Sequence, residues 1–134
     1  MTEPTNKIYY CPIEVAVDQI SGKWKPLILH HLRNGGLGLE EIGRRLPLAT
    51  RRMLNTQLRE LEKDGLIERQ PFDELPPPIE YGLTATGYQF LPILDQLREL
   101  GCQSASRSGV MLQEELDLGD LGEAEAIPPL SEAS

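Results

Sequence analysis

Long hydrophobic runs, clustered cysteines and an excess of positive charge are all missing from this 134-residue chain. No apolar stretch approaches the roughly 20 residues that a membrane-spanning helix needs. The first twelve residues, MTEPTNKIYYCP, lack the charged start and apolar core of a secretory leader. A cytoplasmic protein with reduced thiols and no membrane partner is therefore expected. Cysteine occurs only at Cys11 and Cys102, far apart and outside any CxxC, which argues against a structural zinc site. The two histidines, His30 and His31, are neighbours that point to different helix faces and lack a third ligand, so they read as structural. Neither a metal nor a cofactor is expected. Glu40 with Glu41, and Glu60 with Glu62, read as solvated faces because no nucleophile or partner acid stands near them in a motif. Nothing supports an enzyme. The net charge of −8 weighs against a polyanionic partner, until its distribution is examined.

Residues 105–134 hold seven acidic residues and one basic residue, Arg107, so that this stretch carries −6 of the total. Residues 44–69 hold seven basic residues (Arg44, Arg45, Arg51, Arg52, Arg59, Lys63 and Arg69) against four acidic ones, a local +3. Phosphate contacts respond to local charge, because the Debye length is only about 8 Å at physiological salt. The acidic total therefore weakens a DNA-binding reading without removing it. Length suits one domain with a short tail, and 40% hydrophobic residues supply one modest core, so that burial against a partner subunit is plausible.

Residues 1–10 read as a polar arm. Pro12 suits a first helical turn, and Ile13, Val17 and Ile20 recur at helical spacing until Gly22. A second apolar helix carries Leu27, Ile28, Leu29 and Leu32 and stops at Gly35 and Gly36. A third, short one rests on Leu39, Ile42 and Leu46 and stops at Pro47. Thr50 is placed as the N-cap of a fourth, which ends at Gly65. LIERQPF and PIEYGLT read as two strands around the proline-rich tip DELPPP. A last helix is expected from about Thr86 to about Cys102, with Pro92 kinking it or confining it to early turns. Beyond it a disordered acidic tail is expected over 105–134, apart from a short turn at VMLQEEL. This order predicts a mostly α fold with a two-stranded β wing, a winged helix-turn-helix, expected to be dimeric.

The fourth helix carries the chemistry. At 100° per residue, Leu54, Leu58 and Leu61 form a buried stripe, while Arg52, Arg59 and Lys63 lie roughly opposite with Thr56 among them and Asn55 at the edge. Arg51, nearer the buried side, still projects from the first turn. Arginine can bond bidentately to guanine or phosphate, asparagine to adenine, and threonine can reach phosphate or a thymine methyl. The bland alternative is a solvated basic face. However, Arg59 and Lys63 form a like-charge i, i+4 pair, unfavourable unless something negative lies nearby.

The segments CPIEVAVDQISGKWKPLIL (11–29), LRELEKDGLIER (58–69) and PPPIEYGLTATGYQFLPILDQL (76–97) together resemble the HxlR-type family of bacterial winged-helix transcription regulators, relatives of the MarR group. The resemblance covers about residues 9–104, and an HxlR-type domain with dimerisation helices at both ends is placed at 11–104. It implies a homodimer on a palindromic operator, its two recognition helices about 34 Å apart or a multiple of that. Thr50 and Arg52 match the family's recognition-helix cap and its usual basic residue, and Arg59 lies in its LREL motif. The wing tip departs from the pattern, with Asp73 and Glu74 and no base, which makes Arg69 at the wing's base the better candidate. The expected DNA contacts are thus Thr50, Arg51, Arg52, Asn55, Thr56, Arg59, Lys63 and Arg69. The expected dimer contacts, on the first and last helices and at Trp24, are Ile13, Val17, Trp24, Phe90, Ile93, Leu94 and Leu97; Trp24 is read as a core or dimer-packing aromatic.

Cys11 precedes Pro12 at a helix start, where free N–H groups favour a thiolate. Several members of the resembling family use this position to sense oxidants or electrophiles, so Cys11 is a candidate redox sensor and a small-molecule or oxidant effector is a candidate partner. The competing reading is a small apolar residue at the dimer contact. A pairing of Cys102 with Cys11 across the dimer is the weaker idea. Against the DNA-binding regulator stands a winged-helix protein-interaction module without specific DNA binding, motivated by the acidic wing and total charge. The basic fourth helix separates the two, since a protein-only module does not need it. A small-molecule binding protein would need a polar-lined cavity.

Overall fold

The computed structural model describes residues 8–71 and 79–112. The arm up to residue 7, the wing tip and the acidic segment from residue 113 lie outside the described residues. The elements follow in the order α1 (Pro12–Gln19), α2 (Lys25–His31), a 3₁₀ turn (Leu32–Asn34), β1 (Leu37–Gly38), α3 (Leu39–Arg45), α4 (Arg51–Lys63), β2 (Ile67–Pro71), β3 (Ile79–Leu83) and α5 (Ala85–Ser108). The chain divides into two compact units after Leu91, inside α5.

In the first unit, apolar residues repeating at helical spacing build the core. Ile28, Leu29 and Leu32 of the second helical segment, Ile42 of α3, Leu54, Leu58 and Leu61 of α4, and Leu66 and Ile67 at the entry to β2 are fully buried. Each such side chain contributes about 1.5–3 kcal/mol through removal from water. Leu27, expected on this apolar face, is 41% exposed instead. α1 buries none of its residues.

The ends of α4 are specified locally. The Thr50 hydroxyl accepts the Met53 N–H at 3.0 Å, satisfying one orphan donor of the first turn. At the other end Gly65 takes φ +82°, a left-handed conformation that suits glycine. The Gly65 N–H then donates to the Glu62 carbonyl and the Leu66 N–H to the Leu61 carbonyl, both at 3.0 Å. This is a Schellman motif, and it swings Leu66 inward to lead the chain into β2.

The sheet has three antiparallel strands rather than the two expected, in the order β1-β3-β2. Leu37 and Gly38 pair with Tyr81 and Glu80, while β2 runs from Ile67 opposite Leu83 to Pro71 opposite Ile79. A two-residue strand has no periodicity of its own; it exists because β3 offers it a free edge. Pro71 ends an edge strand, where its missing N–H does little harm. At the start of α5, the Thr84 hydroxyl accepts the Gly87 N–H at 3.1 Å and donates to the Gly65 carbonyl at 2.6 Å, while the Thr84 N–H reaches the Leu66 carbonyl at 3.0 Å. A Cβ on Gly87 would run into that Leu66 carbonyl oxygen, so this helix–strand contact needs glycine.

Two boundaries of the last helix differ from expectation. It continues through Pro92 and ends at Ser108, beyond Cys102 and beyond the expected domain limit at 104. The proline removes only one i to i−4 hydrogen bond, so helix continues on both sides of it. Of VMLQEEL, residues 110–112 have no regular structure and the remainder lies outside the described residues. No described helix is long and apolar enough to cross a membrane.

Candidate nucleic-acid interface

α3, a connection of five residues (Leu46 to Thr50) and α4 form the helix-turn-helix. The connection is a hydrogen-bonded turn in which the Leu46 N–H donates to the Ile42 carbonyl and the Ala49 N–H to the Leu46 carbonyl, each at 3.0 Å. Burial of Leu54, Leu58 and Leu61 fixes the rotation of α4 about its axis. Arg51, Arg52, Thr56, Arg59 and Lys63 are consequently exposed, as is the cap Thr50, while Asn55 is half-buried.

The cations are not equivalent. Arg51 pairs with Glu40 of α3, and Arg69 on β2 donates through Nε to Glu62 at 3.2 Å. Arg44 and Arg45 both pair with Glu41, the latter at 3.0 Å. The Arg45 hydrogen bond, aided by Arg44, holds the Glu41 carboxyl below its usual range. Arg52, Arg59 and Lys63 have no ion-pair partner among the described residues. The face opposite the buried stripe therefore carries three cations without an ion-pair partner among the described residues, whereas Arg51 and Arg69 reach a phosphate only in competition with an acid already beside them.

One charged residue of consequence escaped the sequence reading. Lys25, at the start of α2, is 4% exposed, and its Nζ lies 2.7 Å from Oε1 of Glu60 on α4. Its signal was present in the spacing, since Lys25 stands at i, i+3, i+4 and i+7 with Ile28, Leu29 and Leu32, the buried stripe. The pair ties α2 to α4. Beside it opens a cleft of about 480 Å³ whose walls include Tyr9, Asp18, Lys25, Glu60, Lys63 and Asp64. Its lining mixes polar and apolar surface, Val15 among the latter. His31, pushed down to about 4 by burial of its ring and by neighbouring His30 and Arg45, is neutral at physiological pH. No group of three metal-ligating side chains occurs among the described residues.

The expected dimer residues separate into two groups. Ile13 (70%), Val17 (50%), Ile93 (49%) and Leu97 (50%) are exposed, and so is Leu100 at 59%. Trp24, Phe90 and Leu94 are buried at 8%, 7% and 7%. Their apolar surface is already removed from water within one chain, so little of it remains for a partner. The Trp24 backbone N–H donates to Oε1 of Gln57 on α4 at 3.3 Å. Cys11 caps α1, its Sγ accepting the Ile13 N–H at 3.3 Å while the Glu14 carboxylate accepts the Cys11 N–H at the same distance. Both Cys11 and Cys102 are free thiols and half-buried.

Comparison with known proteins agrees with this geometry. A family model described as HxlR-like helix-turn-helix matches residues 19–108. An uncharacterized HTH-type transcriptional regulator of Methanothermobacter thermautotrophicus is 53% identical over 93 residues, 69% of this chain and 71% of the relative. The regulator YybR of Bacillus subtilis is 43% identical over 91 residues, 68% of this chain and 73% of the relative. Among solved structures, the redox regulator HypR in its oxidized form is 43% identical with a TM-score of 0.64, covering 68% of this chain and 94% of its own. A MarR-family regulator from Enterococcus faecalis is 35% identical with a TM-score of 0.65, over 82% and 100%. The chain belongs to the HxlR-like helix-turn-helix family of transcriptional regulators.

Proposed function

We propose that the chain acts as a homodimer that binds a palindromic operator through α4, with Cys11 as a redox- or electrophile-responsive switch. The observation that carries the DNA contact is the arc of Arg52, Arg59 and Lys63, exposed and without an ion-pair partner among the described residues, on a chain of net charge −8. Such an arc costs repulsion in the free protein and is offset when phosphates neutralise it. The dimer is supported by exposed Ile13 and Val17 on α1 and by Ile93, Leu97 and Leu100 at helical spacing on α5. The switch is supported by the Cys11 cap, which leaves the thiol at a helix N-terminus, and by similarity to a regulator solved in oxidized and reduced forms.

Fluorescence anisotropy on the DNA upstream of its own gene, across a salt series, tests the reading. Wild type should bind tightly with steep salt dependence, and Arg52→Ala/Arg59→Ala should weaken binding and flatten the salt slope by about two. Binding that the double variant retains would shift the reading to a protein-interaction module. Diamide treatment of wild type and Cys11→Ser then tests the switch, and an unchanged affinity in both would remove it.

A further inference from the structure

Two apolar side chains flank the cap of the recognition helix without serving the core. Leu48, in the turn before α4, is 68% exposed, and Met53, in the first turn of α4, is 48% exposed. Scattered exposed apolar residues are ordinary on a protein surface. These two bracket Thr50, at the positive end of α4, where uncharged and charged groups alike face whatever the helix meets. Resting on the DNA-binding reading above, we infer that Met53 and Leu48 read thymine: each contacts the C5-methyl of a thymine in the major groove, so that each operator half-site carries thymines where the N-terminus of α4 enters.

The placement supports this occupant over others. The Met53 N–H is held by the Thr50 hydroxyl at 3.0 Å, which fixes the Met53 backbone in the first turn. Counting about 100° per residue, Met53 lies about 60° from Thr56, and Thr56 lies about 40° from Arg52, so Met53 forms the apolar margin of the cationic arc. The N-terminal residues of a recognition helix are the ones that reach base edges in the major groove. There thymine alone presents a methyl, and an unbranched thioether adapts to it without demanding a hydrogen bond. A protein partner is the poorer fit, because two side chains fall far short of the roughly 800 Å² that a stable interface buries on each side. The charged arc supplies affinity through phosphates and can itself read guanine, and the apolar margin adds discrimination at thymine.

Selection of duplexes from random DNA supplies the probe, and replacing each thymine singly by deoxyuridine removes only the C5-methyl. Anisotropy with wild type should show about a fourfold loss for deoxyuridine at particular positions of each half-site, the worth of one buried methyl. Met53→Ala should weaken the thymine duplex by a similar factor, and combining it with deoxyuridine at its own position should cost no more than either change alone. Leu48→Ala should show the same coupling at a different thymine. Both positions are exposed, so folding is retained; Met53→Gln, which keeps the length but not the apolar contact, should behave as Met53→Ala. The inference is overturned if no deoxyuridine weakens binding, if the losses persist undiminished in both variants, or if either variant changes the oligomeric state rather than the thymine response. Absence of any selected duplex would instead overturn the DNA-binding reading, and this inference with it.

Discussion

The Lys25–Glu60 pair permits a test in which the two partners should respond unequally. Lys25 is 5% exposed at its side chain and Glu60 50%, with 2.7 Å between Nζ and Oε1. At that distance the gross attraction is several kcal/mol even at an effective dielectric of about 20, but removing the ammonium from water costs a comparable amount. The net worth of the pair is therefore small, whereas the cost of breaking it depends on which member remains. Glu60→Ala strands a buried ammonium and should cost about 2–3 kcal/mol. Glu60→Gln keeps an acceptor at the same place and should cost about 1–2 kcal/mol. Lys25→Met replaces the stem with an apolar chain of similar shape and leaves a carboxylate already half in water, so its cost should stay within about 1 kcal/mol of zero. Lys25→Met/Glu60→Ala should be more stable than Glu60→Ala alone. Urea unfolding at pH 7 and fixed protein concentration reads these values from the midpoint at constant slope; each kcal/mol also moves Tm by about 4–8 °C for a domain of this size. Lys25→Met costing more than Glu60→Ala, or a strictly additive double variant, would refute the reasoning.

Other perturbations probe the scaffold. Thr50→Ala should lose about 1 kcal/mol with the N-cap bond, read by the same urea assay, while Thr50→Ser restores most of it. Gly65→Ala should cost about 1 kcal/mol from its φ alone, since no atom crowds the position; an unchanged midpoint would remove the left-handed cap from the account. Gly87→Ala should cost at least about 2 kcal/mol, because the Leu66 carbonyl must move; near-wild-type stability would contradict that packing. The folded-state value of His31 near 4 lies below its unfolded 6.5, so the unfolded chain takes the proton first. Stability is full above pH 6.5 and declines as pH falls from 6.5 toward 4, by on the order of 1–2 kcal/mol after allowing for the solvated part of the ring. Urea midpoints across that window should show the slope in wild type and lose it in His31→Gln.

What the sequence determined by itself is whatever chain neighbours settle. Helical spacing located α4 and its buried Leu54, Leu58 and Leu61; the Thr50 hydroxyl and the Gly65 backbone set its ends, because caps act across only a few residues. Once the buried stripe is known, the outward arc of Arg52, Arg59 and Lys63 follows from 3.6 residues per turn. Tertiary structure decided the rest. Arg51 and Arg69 read from sequence like the other cations, yet acids on or beside neighbouring elements compensate them. Lys25 finds its counter-charge on a helix more than thirty residues away, β1 exists only against β3, and Trp24 and Phe90 are buried within the single chain. Charge compensation and edge pairing act through space, so periodicity along the chain carries no record of which acid or which strand arrives there.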